Sequence, residues 1–388
     1  MERSTRLVAV VLAWQVAASI CYYAVFASTT FFQQAFGLSN FLVGFVITSL
    51  TLGYTLLLLP TGAAIDGYGE RKVLIAGLIG MGLVAVLVPL SPSFLVLLVV
   101  VALLGTLYAT AIPGTNRAIF ENIPEGRQHL ALGIKQVGVT AGSGISALLV
   151  TWIAGTRFGW EAGFFVAGGV ALLVAGAFAV VYREETGTGT VSVPSLGDLF
   201  AQSEYRRLTA AGFFLGAGLF TTTGYTVLYV ESIGASVGFA GVVLAAVQVG
   251  GSAGRVLSGA VGDYLPGSER VATTRILLVQ AVGSALAFVG VVLVDSPWAA
   301  LVAFTLLGFF VLGFTGMYYS CMSTLVDSEE MGRATSGGQL TLNAGALLGP
   351  PAFGLVADLF DYGAAWFALG AAGVVAAALL LSIERQAV

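Results

Sequence analysis

The stretch Gly62-Ala63-Ala64-Ile65-Asp66-Gly67-Tyr68-Gly69-Glu70-Arg71-Lys72 separates two long apolar runs, one from about Phe41 and one from about Val73. A spanning helix needs about 20 apolar residues at ~1.5 Å each, and both runs reach that length. Outward from this pair, twelve such runs begin near Leu7, Phe41, Val73, Phe94, Leu130, Gly163, Leu208, Gly238, Ile276, Trp298, Ala334 and Ala364. The chain is 57% hydrophobic and only 9% charged. A soluble domain carries roughly 25% charged residues, so most of this surface must face lipid. The expected fold class is an all-α polytopic membrane protein.

The first run follows Met1, Glu2, Arg3 and Arg6 and reads as a retained span, because many similar runs follow it. Most connections are short and carry turn formers, such as Ser91-Pro92-Ser93. One longer polar connection runs from about Arg183 to Arg207, with a short helix expected over Ser195 to Tyr205. The expected division is a six-helix bundle over 1–186, a linker over 187–207 and a second bundle over 208–388.

With the N-terminus inside, Arg3, Arg6, Arg71, Lys72, Arg127, Arg183, Arg206, Arg207, Arg270, Arg275, Arg333 and Arg385 are cytoplasmic, and only Arg157 lies outside. That asymmetry predicts a multi-pass protein of the plasma membrane with both termini cytoplasmic. The halves also repeat. Gly259-Ala260-Val261-Gly262-Asp263 follows run eight as Gly62 to Asp66 follows run two, and Gly126-Arg127 is matched by Gly332-Arg333. Gly138 and Gly142 in run five, and Gly345 and Gly349 in run eleven, form small-xxx-small seams that let helix backbones approach.

Gly62 to Lys72 resembles the loop signature G-x-x-x-D-x-x-G-x-(R/K)-(R/K) of the major facilitator superfamily, in the right position after span two. The resemblance covers nearly the whole chain. It implies twelve helices in two pseudo-symmetric six-helix bundles, a central cavity and alternating access. It also assigns Gly62, Asp66, Gly69 and Arg71, with their counterparts Gly259 and Asp263, to gating. Asp66 would accept hydrogen bonds from a helix N-terminus, and Arg71 would pair with a carboxylate, for which Glu121 is the candidate. The alternative is that these charges only anchor a tight loop. Span four reads Val99-Val100-Val101-Ala102-Leu103-Leu104-Gly105, without the arginine frequent in proton-linked members. Span five has Gly142-Ser143 where drug exporters often carry Gly-Pro, and Gly349-Pro350 falls in span eleven. Both departures count against a proton-driven drug exporter.

Ionisable residues inside a membrane are costly and therefore candidates for function. No carboxylate is clearly mid-span, whereas Arg117, Lys135 and Arg255 lie away from the loops. Lys135 follows Arg127 by eight residues and Arg255 precedes Asp263 by eight, which puts each ~12 Å inside the boundary. Gln248, Arg255 and Gly262 recur every seven residues and share a helix face, so Arg255 is expected in a polar stripe. The alternatives are snorkelling for Arg255 and Lys135, and an i,i+4 pair with Glu121 for Arg117. Gly254-Arg255 with Gly259 and Asp263 resembles span eight of monocarboxylate, oxalate and nitrate porters, where an arginine contacts the anion. The partner arginine of the nitrate porters is absent, since that region of span two reads Leu56-Leu57-Leu58-Leu59-Pro60.

Tyr22, Tyr225, Tyr318, Gln136 and Asn343 complete the expected cavity, with helix packing as the other reading of each tyrosine. The expected function is transport of a small anion, foremost an organic carboxylate, and the runner-up is export or import of neutral or cationic compounds. The expected partners are that small molecule and the bilayer, with the chain working as a monomer and without nucleic acid. Cys21 and Cys321 lie in apolar runs and His129 is the sole histidine, so neither disulfides nor metal spacing is present. No nucleophile–base constellation marks an enzyme, no G-x-x-x-x-G-K-(S/T) motif marks a nucleotide site, and no cofactor is expected.

Overall fold

The computed structural model describes residues 2–124, 128–183, 197–262, 264–265, 268–327 and 330–387. Twelve helices among them are long and apolar enough to cross a membrane. In chain order they are Thr5–Ala27, Asn40–Tyr68, Glu70–Leu90, Phe94–Asn122, Leu130–Ala154, Glu161–Val181, Ser203–Ser232, Val237–Gly262, Glu269–Val292, Pro297–Ser323, Arg333–Leu359 and Tyr362–Arg385, here called spans one to twelve. Ten of the expected starts lie within three residues of these. Span seven begins at Ser203, because the expected linker helix is confined to Gly197–Ala201 and Gln202 breaks it from the next. Span nine begins seven residues before Ile276, where Ser268 accepts a hydrogen bond from the Val271 amide and caps the helix.

Two compact units divide the chain. One holds Met1–Phe36 and Ser49–Val193, and the other holds Gly37–Thr48 and Pro194–Val388. The first nine residues of span two therefore pack with the second half. The expected linker over 187–207 lies outside the described residues up to 196.

Equivalent spans are built alike in the two units. Span five packs on span one, and span eleven on span seven. A Cβ on Gly142 would lie 2.6 Å from the Val16 carbonyl oxygen, and one on Gly345 would collide with that of Phe213, so both glycine seams hold. Span four is broken between Tyr108 and Ala111, and span ten between Val311 and Thr315. The break recurs at the same place in each half. Each break leaves carbonyls without their helical amide. Thr110 Oγ1 donates to Leu107 O at 2.8 Å in span four, and Leu312 O is taken from outside span ten.

In the second unit, the start of span two is clasped onto span eleven. Pro351 has no N–H, which releases the Leu347 carbonyl, and the Thr48 hydroxyl donates to it at 2.6 Å. The amides of Asn40 and Phe41 donate to the two carboxylate oxygens of Asp358 at 2.9 and 2.8 Å, so an acid sits on a helix N-terminus. Gly44 and Gly354 permit this approach, since a side chain on either would strike Pro351 or Asn40 backbone.

Candidate functional site

The loop signature folds into a charge cluster at one end of the first unit. Gly69 alone separates span two from span three and adopts φ +84°, a left-handed value that suits glycine, which explains the fixed glycine of the motif. The turn brings Asp66 and Glu70 together beneath span four. Arg117 stands between three carboxylates, at 2.5 Å from Asp66, 2.7 Å from Glu121 and 3.9 Å from Glu70. Glu70 has no accessible surface, and the Tyr182 hydroxyl donates to it at 2.8 Å.

Arg71 does something other than the expected pairing with Glu121. Its guanidinium donates to Tyr182 O at 2.6 Å and Ala179 O at 2.7 Å, and so covers the C-terminal carbonyls of span six. Glu121 takes Arg117 instead, because the two sit one helical turn apart. Asp66 is bonded to that same arginine, where a helix N-terminus was expected. Arg117 therefore belongs to this cluster, and its i,i+4 alternative is the geometry observed. Gly62 and Gly259 face open space, with no atom within 4 Å of an added Cβ. Asp263 lies outside the described residues.

Lys135 is buried, at 3% exposure. Its ammonium donates to Asn116 Oδ1 at 2.8 Å, across to span four. No carboxylate among the described residues pairs with it. Gln136 is exposed, since one residue turns a helix by ~100° and puts neighbours on different faces.

Tyr22 is buried and stacks on Tyr108, with ring centroids 4.1 Å apart and 19° between planes. Tyr23 and Tyr54 pack at the edges of the Tyr22 ring. The Gln15 amide donates to Ser19 Oγ at 3.2 Å and to the Tyr108 hydroxyl at 3.4 Å, while its own Oε1 is buried without a partner. A buried polar and aromatic cluster thus joins spans one, two and four.

In the second unit, Arg255 is half-buried and donates from Nε to Leu312 O at 3.0 Å. That carbonyl is available because span ten breaks there. The preceding Gly254 lets span ten lie against span eight, since a side chain would strike Phe309 O. Gln248, one face-repeat away, is buried with its Nε2 unpartnered. Asn343 is fully buried and accepts from Gln339 Nε2 at 2.8 Å, and the Tyr319 hydroxyl donates to Gln339 Oε1. Tyr318 and Tyr225 do not join this row. The Tyr318 hydroxyl bonds to Gly338 O at 3.3 Å in the core between spans ten and eleven. The Tyr225 hydroxyl donates to Asn40 O at 2.6 Å and Pro350 O at 3.1 Å, within the clasp. For both, the packing reading is the observed one.

Gln15, Glu70, Tyr108, Asn116 and Gln339 enter the site without having been singled out in sequence. Glu70 occupies a variable position of the signature, and the others acquire neighbours only through folding. A polar residue within an apolar run was the one signal available for Gln15 and Gln339.

The sequence pattern described as Major Facilitator Superfamily matches residues 11–336. A hexuronate transporter of Bacillus subtilis (strain 168) is 22% identical over 346 residues, which cover 84% of this chain and 82% of that protein. A 3-(3-hydroxy-phenyl)propionate transporter of Escherichia coli (strain K12) is 25% identical over 360 residues, covering 90% and 86%. The fold is similar to the crystal structure of a bacterial homolog to the human lysosomal transporter Spinster. That comparison has a TM-score of 0.83 at 18% identity, over 99% of this chain and 97% of the other. Twelve spans, a repeated half, the signature turn and this match agree: the chain belongs to the major facilitator superfamily, whose members are transporters rather than enzymes.

Proposed function

We propose that the chain moves a small organic anion, foremost a carboxylate, across the plasma membrane by alternating access. The observation that carries this reading is Lys135. An ammonium buried beside a neutral amide, with no carboxylate paired to it among the described residues, is costly to desolvate. A bound carboxylate supplies a counter-charge. In the second unit, Arg255 offers a planar, bidentate donor of its own, and Gln248 and Asn343 offer buried neutral polar groups. The Tyr22–Tyr108 stack suits an apolar or aromatic body on the same solute. The names of the two curated relatives support the chemistry, since hexuronates and phenylpropionates both carry a carboxylate.

Asp66, Arg117, Glu121 and Glu70, with Arg71, form the gating element in this reading. Gly62 and Gly259 would be required as small residues in a different conformational state. The buried Glu70 does not favour the runner-up, a carrier of cations, because Arg117 and Tyr182 already satisfy it at the end of span three.

Ligand-induced thermal stabilisation of the purified chain tests the reading with glucuronate, 3-phenylpropionate, sulfate, glucose and a quaternary ammonium ion. A carboxylate should bind. Removing one partner of such a contact costs roughly 2–5 kcal/mol, so Lys135→Gln and Arg255→Ala should each bind it at least about tenfold more weakly. A neutral or cationic best ligand, or unchanged carboxylate binding in Lys135→Gln, overturns the anion assignment.

A further inference from the structure

A cavity of about 640 Å³ opens at the ends of spans one and six, in the first unit. Its wall divides by chemistry. Leu7, Val10 and Val180 are apolar, and Val180 is 69% exposed on the outer side of its helix. Arg6 and Arg183 stand on the rim, both exposed, and neither is in an ion pair among the described residues. The end of a helix carries partial negative charge on its last carbonyls, which would repel an anion. Here Arg71 donates into two of them, Ala179 O and Tyr182 O, and Tyr182 itself lines the cavity. Arg71 and Arg183 thus lie at one helix end, and Arg6 lines the same cavity from span one.

We propose that this cavity binds an anionic phospholipid. The headgroup phosphate lies between Arg6 and Arg183, and an acyl chain runs along Val10 and Val180. Guanidinium groups hold phosphate oxygens with paired, charge-assisted hydrogen bonds. Basic pockets between spans at a membrane surface select acidic headgroups on this principle. The apolar half of the cavity separates a lipid from free phosphate, which would gain nothing from valine. The site is distinct from the substrate site, and its occupancy depends neither on the anion reading nor on the orientation of the chain.

The test uses the full-length chain in detergent micelles, titrated with phosphatidylglycerol, phosphatidylcholine or inorganic phosphate and read by native mass spectrometry. Wild type should retain phosphatidylglycerol over phosphatidylcholine, and millimolar phosphate should not displace it. Arg6→Gln with Arg183→Gln should weaken retention about tenfold or more. Val180→Trp fills the apolar half without touching a charge and should weaken it as well. Arg157→Gln, an exposed arginine packed on Phe158 elsewhere in the same unit, should leave it unchanged. The proposal is overturned by full retention in the double variant, by an equal loss in Arg157→Gln, or by displacement with inorganic phosphate.

Discussion

Glu70 has no accessible surface, and a phenol and a guanidinium that share its oxygens offset the cost of its burial. Arg117 is therefore the keystone of the cluster. Arg117→Gln would leave Asp66, Glu70 and Glu121 facing one another, and breaking a buried pair from one side costs about 3–5 kcal/mol. The purified variant should melt several degrees lower, and adding Glu70→Gln should restore part of the loss, because charge and counter-charge then leave together. A wild-type melting temperature in Arg117→Gln would mean that the cluster is solvated and its distances are incidental. Asp66 and Arg71 were legible from the spacing of the signature alone. Their partners were not, since Arg71 meets residues 108 and 111 positions away. Glu70 was hidden for a related reason. A carboxylate in the first turn of a helix is normally a solvated one, and only the packing of Tyr182 over it reverses that.

The spans themselves were legible because lipid imposes one rule on every residue of a run, so hydrophobicity marks each helix without long-range knowledge. Interruptions inside the runs obey no such rule. The break in span four follows from Pro113, which has no N–H for the Ala109 carbonyl, whereas the break in span ten holds no proline and only its recurrence at the same place shows that it is built in. The clasp on span eleven was also invisible, although its ingredients were plain in Gly349-Pro350-Pro351 and Asp358. Asp358 holds two amides at a helix start, an arrangement of the kind whose loss costs ~0.5–2 kcal/mol when a capping side chain is removed. Asp358→Ala should therefore lower the barrier to freeing residues 40–48. Hydrogen–deuterium exchange of the Asn40 and Phe41 amides is expected to rise at least about twofold, with the rest of span two unchanged. Equal exchange in both proteins would show that Gly44 and Thr48 hold the segment without the acid.

For the whole molecule, the remaining expectation is the direction in which the chain is threaded. The basic residues predict that both termini and the connection between the halves face the cytoplasm. Arg157, in the turn after span five, is the one basic residue assigned outside. A cysteine introduced as Arg157→Cys should react with an impermeant maleimide on intact cells, and a tag after Val388 should stay protected until the membrane is opened. Labelling of the tag from outside would invert the assignment. The two native cysteines are buried and should stay silent in that experiment.

Span two belongs to both compact units, dividing between Thr48 and Ser49. If the two units turn against each other, the helix must either twist at that junction or tear its first turns from span eleven. The stiffness of one hydrogen-bonded rod would then limit how far the molecule turns before the clasp yields. Softening the junction with Ser49→Gly, which leaves the Thr48 bond to span eleven in place, would change the rate of turnover without touching any group that meets the cargo.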